Sequence, residues 1–102
     1  MHVHTVPVTN HSEQKAIIIT TTNRPCEVYR LVFENDKLII GSGEYAIVEP
    51  NSRINVETGS HFFYATVYIE FCGIWYNMFR NNKCSVSRKI EILPKLFNKI
   101  VV

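Results

Sequence analysis

Thirty of the 102 residues branch at Cβ: twelve Ile, eleven Val and seven Thr, against only four Leu and three Ala. Such side chains are stiff at χ1, lose freedom in a helix and pack well on a pleated surface. A chain of this kind is expected to fold as sheet, and a helical bundle, a coiled coil or a disordered tail is excluded. Its length is that of one domain, enough to bury a core without disulfide or metal staples. Turn residues cut it into strand-length pieces at the spacing of a sandwich or barrel. Residues 1–102 therefore read as a single all-β domain, an antiparallel β-sandwich of about eight short strands.

Residues 2–8 alternate weakly, and Pro7 places them at a sheet edge because proline cannot donate to a ladder. Residues 1–14 thus read as a loose edge strand followed by a polar loop. Residues 16–22 form a dense β-branched run, Ile17-Ile18-Ile19-Thr20-Thr21-Thr22, closed by Asn23-Arg24-Pro25. A strand over 27–33 follows, with Tyr29, Leu31 and Phe33 on one face. Glu34-Asn35-Asp36-Lys37 then turns the chain into Leu38-Ile39-Ile40. The Gly41-Ser42-Gly43 loop leads to a strand over 45–48, and Pro50-Asn51-Ser52 turns it into a short strand over 53–57. The longest strand covers 61–72, and the period of two puts Phe63, Ala65, Val67, Ile69 and Phe71 on its inner face. Gly73 breaks that strand and 74–79 returns. Asn81-Asn82-Lys83 reads as a turn into a last pairing over 86–93, which Pro94 stops. Residues 95–102 fit a strand or one helical turn equally well.

No stretch approaches the ~18–20 apolar residues of a transmembrane helix. Met1-His2-Val3-His4-Thr5-Val6-Pro7 lacks both the basic and the apolar region of a signal peptide. The chain is thus expected to be cytoplasmic as synthesised, with release by another route left open. Cys26, Cys72 and Cys84 then read as reduced thiols, and the sequon Asn10-His11-Ser12 reads as chance. The formal net charge of +2 is unevenly placed. Residues 1–79 hold five Lys/Arg against eight Asp/Glu, a net of −3. Residues 80–102 set Arg80, Lys83, Arg88, Lys89, Lys95 and Lys99 against Glu91 alone, a net of +5. Such a segment suits phosphate, anionic lipid or an acidic partner. Ile90, Ile92, Leu93, Leu96, Phe97 and Ile100 interleave its charges and mark it as folded.

No constellation points to catalysis. His2 and His4 share a direction in an extended chain, but no third ligand stands near them and no cysteine pair has C-x-x-C spacing. Neither a metal nor a cofactor is expected. No serine lies in a nucleophile elbow, and Gly41-Ser42-Gly43 is not followed by a helix whose N-terminus would hold phosphate. Asp36 is the sole aspartate. The aromatic residues are the best lead. Phe62, Tyr64 and Tyr68 lie on the face of the long strand opposite its core residues, and Trp75 and Tyr76 follow just after Gly73. Together they form the candidate ligand-binding surface, with Arg80, Lys83, Arg88 and Lys89 as a candidate basic surface. An aromatic row offers an apolar body and polar tips to a sugar ring, a lipid headgroup zone or another protein. A subunit interface in a homo-oligomer would cover the same row. Bases stacking beside Arg30 or Arg80 are disfavoured, because no nucleic-acid motif is present and the body carrying the rings is acidic.

Two β families share the cadence of this chain. Ile17-x-Ile19-x-x-x-Asn23, Val28-x-x-Leu31, Gly43-x-Tyr45, Pro50-x-Ser52, Gly59-Ser60 and Val67-Tyr68-Ile69-x-x-x-Gly73, leading into an aromatic strand that ends at Asn81, resemble the aegerolysin-like β-sandwich group. That resemblance covers roughly residues 16–82. It implies a small protein that recognises membrane lipid, often beside a pore-forming partner. Gly43-Glu44-x-x-x-Val48-x-Pro50-x-Ser52 resembles the strand entering the proline turn of a cupin-type jelly roll. Here His2-Val3-His4 precedes that motif and no histidine lies between Pro50 and Ser60, so the cupin reading is a metal-free small-molecule binder. The expected function is a non-catalytic binding module working on a membrane surface or another protein. The competing readings are a self-assembling structural or inhibitory domain and the cupin-like binder.

Overall fold

The computed structural model describes residues 4–22, 31–34, 37–40 and 44–95. His2, Cys26, the faces of the expected 27–33 strand, the Asn35-Asp36 turn, the Gly41-Ser42-Gly43 loop and residues 96–102 lie outside the described set. The described residues form nine strands and no helix: β1 (His4–Asn10), β2 (Ala16–Thr21), β3 (Leu31–Glu34), β4 (Lys37–Ile40), β5 (Glu44–Val48), β6 (Arg53–Thr58), β7 (Phe62–Phe71), β8 (Ile74–Ser85) and β9 (Ile90–Ile92). β6, β1 and β9 make one sheet, β5, β2, β7 and β8 a second, and β3 pairs with β4. The fold is an all-β sandwich.

Side chains alternate across a strand, so the registers fix what each sheet buries. Val6 and Val8 of β1 and Ile90 and Ile92 of β9 face Ala16 and Ile18 of β2, Val48 of β5, and Phe63, Ala65, Val67 and Ile69 of β7 in one core. Phe71, the last residue assigned to that inner face, is only partly buried. β2 is the exception to one-sided burial. Its six residues are all buried, and Ile17 and Ile19 form a second cluster with Tyr68 on the other side of the sheet. A strand covered on both faces shows no alternation, which is why the Ile-Ile-Ile run carries no period.

Three local features differ from the sequence expectation. β1 is the middle strand of its sheet, not a loose edge. Pro7 is tolerated because β9 pairs only with Val8, Thr9 and Asn10, leaving that side of β1 unpaired at the proline. The β1–β9 pairing is parallel, whereas the other strand pairings are antiparallel.

The third difference is β8, which runs through Asn81-Asn82-Lys83 rather than turning there. Its register against β7 shifts twice, from Ala65↔Asn82 to Val67↔Phe79 and then to Tyr68↔Asn77. Each shift sets an extra residue of β8 against β7, a bulge, and both Met78 and Phe79 then pack on the core. Asn81 takes the left-handed conformation that a bulge tolerates, with φ 54° at Asn51 and φ 51° at Asn81 among the positive values of the chain. The Asn81 amide donates to the buried Thr66 hydroxyl (3.0 Å). Asn77 Nδ2 donates to the Val67 and Phe79 carbonyls (3.3 and 3.1 Å). Side chains thus restore bonds that the bulged ladder has lost.

Candidate functional site

The start of β7 and the end of β8 carry the site. Phe62 pairs with Ser85 and Tyr64 with Lys83, and residues opposite one another across a ladder share a face. Lys83 Nζ therefore reaches 5.0 Å from the centroid of the Phe62 ring, within cation–π range. The ring itself is 56% exposed. Beyond β8 the chain makes a tight serine turn. Arg88 N donates to the Ser85 carbonyl (3.1 Å), Ser87 N donates to Ser85 Oγ (3.3 Å), and the two hydroxyls lie 2.9 Å apart. Val86 N donates to the His61 carbonyl (3.0 Å), fastening the turn to the start of β7.

This geometry brings Arg88 and Lys89 round to Phe62 and Lys83, enclosing an open concavity of about 560 Å³ with Ser85 and Ser87 in its wall. Lys89 is partly neutralised, with its Nζ 3.4 Å from Glu91 Oε1 and His11 Nε2 at 3.6 Å from the same oxygen. The Lys89 hydrogen bond and charge hold the Glu91 carboxyl below its ordinary range, and His11 adds to the effect. Lys83 and Arg88 meet no carboxylate among the described residues. Cys84, between Lys83 and Ser85, pairs with Phe63 and packs against the main core. Half-burial pushes its pKa up and keeps it protonated, the opposite of an activated nucleophile.

The remaining sequence candidates lie elsewhere. Tyr64 is half-buried beside Phe62 on β7. Tyr68 is only 8% exposed and packs with Ile17, Ile19 and Trp75. Tyr76 pairs with Ile69 and so faces the main core, on the opposite side of β8 from Trp75. Lys95 Nζ lies 5.0 Å from its ring centroid. Arg80 is exposed near the bulge and does not line the concavity. The five aromatics therefore do not form one row. Phe62 joins the basic residues Lys83, Arg88 and Lys89, while Tyr68, Trp75 and Tyr76 are divided between two faces farther along the sheet.

A feature unmarked in the sequence sits at the same end. Thr20, Thr22, Thr58 and Ser60 line a concavity of about 360 Å³ between the sheets, with Phe63 beneath and Glu57 at its lip. Beside it the rings of His4 and His61, from the two sheets, meet at 4.3 Å between centroids. Only the register reveals that Thr20 and Thr58 both point inward, since polar residues at strand ends otherwise read as fraying. Among the described residues no group of three metal-ligating side chains occurs, and no helix is long and apolar enough to cross a membrane. Comparison with protein-family models, curated proteins and solved structures gives no match for this chain.

Proposed function

We propose that this protein is a non-catalytic recognition domain that docks on an anionic membrane surface through Phe62, Lys83, Arg88 and Lys89. The juxtaposition of an exposed ring and an ammonium group at 5.0 Å carries the reading. An aromatic ring settles at the headgroup level, where its apolar body leaves water, and the cation beside it meets phosphate. Each basic side chain near an anionic leaflet contributes about 1 kcal/mol. Three of them with one ring make a weak, salt-sensitive contact, suited to a domain that binds reversibly or through several copies. The aegerolysin-like resemblance implies the same class of partner.

Sedimentation with vesicles tests this. Phosphatidylserine-containing vesicles should carry the protein down at low salt, vesicles of phosphatidylcholine alone should not, and added salt should release it. Lys83→Glu and Phe62→Ala should each weaken binding while leaving the thermal transition in place. No sedimentation with anionic vesicles at low salt would end the membrane reading.

One observation favours a second reading. Tyr45 and Ile47 stand 52% and 44% exposed on β5, the edge strand of the four-stranded sheet. Apolar side chains on an edge strand suit a partner chain or a second copy. Light scattering showing a stable oligomer that Ile47→Lys dissolves would support this assembly role.

A further inference from the structure

We propose that the concavity at the turn after β8 is a site for a phosphomonoester. The proposal rests on the membrane reading of the same residues and narrows it to headgroups that end in a phosphate. Phe63 and Cys84 pair across the ladder, and both pack on the core. Their neighbours Phe62, Lys83 and Ser85 therefore point outward on one face. Ser87 Oγ lies 2.9 Å from Ser85 Oγ, so the turn carries a second hydroxyl to that face. Arg88, next in the chain, completes the wall. The Phe62 ring, Lys83, Ser87 and Arg88 are all exposed, and all belong to the described run 44–95.

The charge count selects the ligand. Glu91 is the one carboxylate side chain in residues 71–102. It is taken by Lys89 at 3.4 Å and His11 at 3.6 Å. Lys83 and Arg88 are left as two cations with no carboxylate partner among the described residues. A phosphate diester brings a single negative charge to them. A phosphomonoester carries about −1.5 to −2 at neutral pH and presents three terminal oxygens, which matches the two cations. Its oxygens also suit the donors in the wall. The Arg88 guanidinium is a planar fork fitted to two phosphate oxygens, and Lys83 adds a point charge. Whichever serine donates across the 2.9 Å contact, one hydroxyl hydrogen of the pair remains for a ligand. The concavity of about 560 Å³ holds more than a bare phosphate. Phe62, beneath the Lys83 ammonium at 5.0 Å, offers its ring to the carbon skeleton that the phosphate is attached to.

An NMR titration of the ¹⁵N-labelled chain with glycerol 3-phosphate and with dimethyl phosphate tests the site. Glycerol 3-phosphate should shift the amides of residues 83–89 saturably, and dimethyl phosphate should bind roughly tenfold more weakly, as expected for losing one charged hydrogen bond. Arg88→Gln, at an exposed position, should weaken glycerol 3-phosphate by a similar factor of about ten. Phosphatidylcholine vesicles containing phosphatidic acid should then carry down more protein than vesicles of equal surface charge containing phosphatidylserine. The proposal is overturned by an absence of saturable shifts with glycerol 3-phosphate, or by shifts confined to other residues. Equal affinity for dimethyl phosphate, or unchanged affinity in Arg88→Gln, would do the same. Sedimentation with phosphatidylserine vesicles but no glycerol 3-phosphate shift overturns this proposal and leaves the membrane reading standing. Glycerol 3-phosphate binding with no sedimentation by either vesicle ends the membrane reading and assigns the site to a soluble phosphomonoester.

Discussion

At the end of the sandwich where β1 finishes and β2 begins, one buried amide ties three segments together. Asn10 Nδ2 donates to the carbonyls of Gln14, Val48 and Glu49 (2.7, 3.1 and 3.3 Å). Its Oδ1 accepts from Ser12 N and Ser12 Oγ (3.0 and 2.6 Å). Backbone bonds run from Asn10 N to Ser52 O, from His11 N to Ile92 O and from Asn51 N to Ser12 O. At the opposite end, where β2 and β6 finish, Thr20 has no side-chain partner among the described residues and Thr58 has only long contacts. The same strands thus finish in a saturated polar knot on one side and in unspent hydroxyls on the other. Saturated networks rigidify a core, whereas hydroxyls left to solvent add little to it. Phe62 and Lys83 lie at the less tightly bonded end.

The sharpest test sets one residue from each end side by side. Asn10→Ala removes five hydrogen bonds at once from a buried site, and should cost about 3 kcal/mol in urea unfolding. Thr20→Val should be nearly neutral, because its hydroxyl has no partner among the described residues. A loss below about 1 kcal/mol for Asn10→Ala would show that the knot does not hold its end. Next in size is the hairpin between β7 and β8, beyond the knot. Cys72 and Gly73 both have positive φ (52° and 78°), the two-residue loop that matches strand twist. No atom stands within 4 Å of a Cβ built on Gly73, so Gly73→Ala meets only backbone strain, about 1 kcal/mol of lost stability. Cys72→Asn, which suits the first loop position, should raise stability by a few tenths. An unchanged melting temperature in both variants would mean the turn is not strained.

Smaller effects separate the thiols and the acid limb. Cys72 is exposed, whereas burial raises the Cys84 pKa. Iodoacetamide at mildly alkaline pH should therefore label Cys72 well before Cys84, and mass spectrometry over time reads the order. Equal rates would mean that the core beside Cys84 opens freely. Smallest of all is Glu91. Its folded pKa is lowered, so its stabilising contribution is complete above the unfolded carboxylate value, about 4.3. That contribution is lost as pH falls through the lower folded value. Glu91→Gln should flatten the acid side of the stability curve slightly, and a steeper curve would contradict the ion pairing with Lys89.

The long inner row was legible because β7 is sided by a clean period: Phe63, Ala65, Val67 and Ile69 are all in the core. β8 was not, because two extra residues break its period and Asn81-Asn82-Lys83 has the composition of a turn. Pro7 misled for a related reason. Its rule concerns the local hydrogen bond, and β9 starts one residue too late to need it. On the candidate site, the basic residues Lys83, Arg88 and Lys89 were visible as a charge run, but their meeting with Phe62 depends on the register and the serine turn. Tyr68 and Trp75 looked like surface, since nothing local tells an outer face from a second buried cluster. Asn10 looked like part of a sequon. Its side chain is wholly buried and bonded, so in the folded chain that amide is closed to modification.

The parallel pairing of Val8–Asn10 with Ile90–Ile92 joins segments near opposite ends of the described chain. No early stretch of the sequence contains the partner that completes the three-stranded sheet. During synthesis, then, one hydrogen-bonding edge of β1 must wait until residues 90–92 have emerged. Contacts this distant in sequence slow folding, and the interval leaves one edge of β1 open to other nascent chains. Of the bonds around Asn10, only that from His11 N to Ile92 O waits for this strand. A chain truncated before Ile90 should emerge as an aggregation-prone precursor rather than as a smaller version of the same protein.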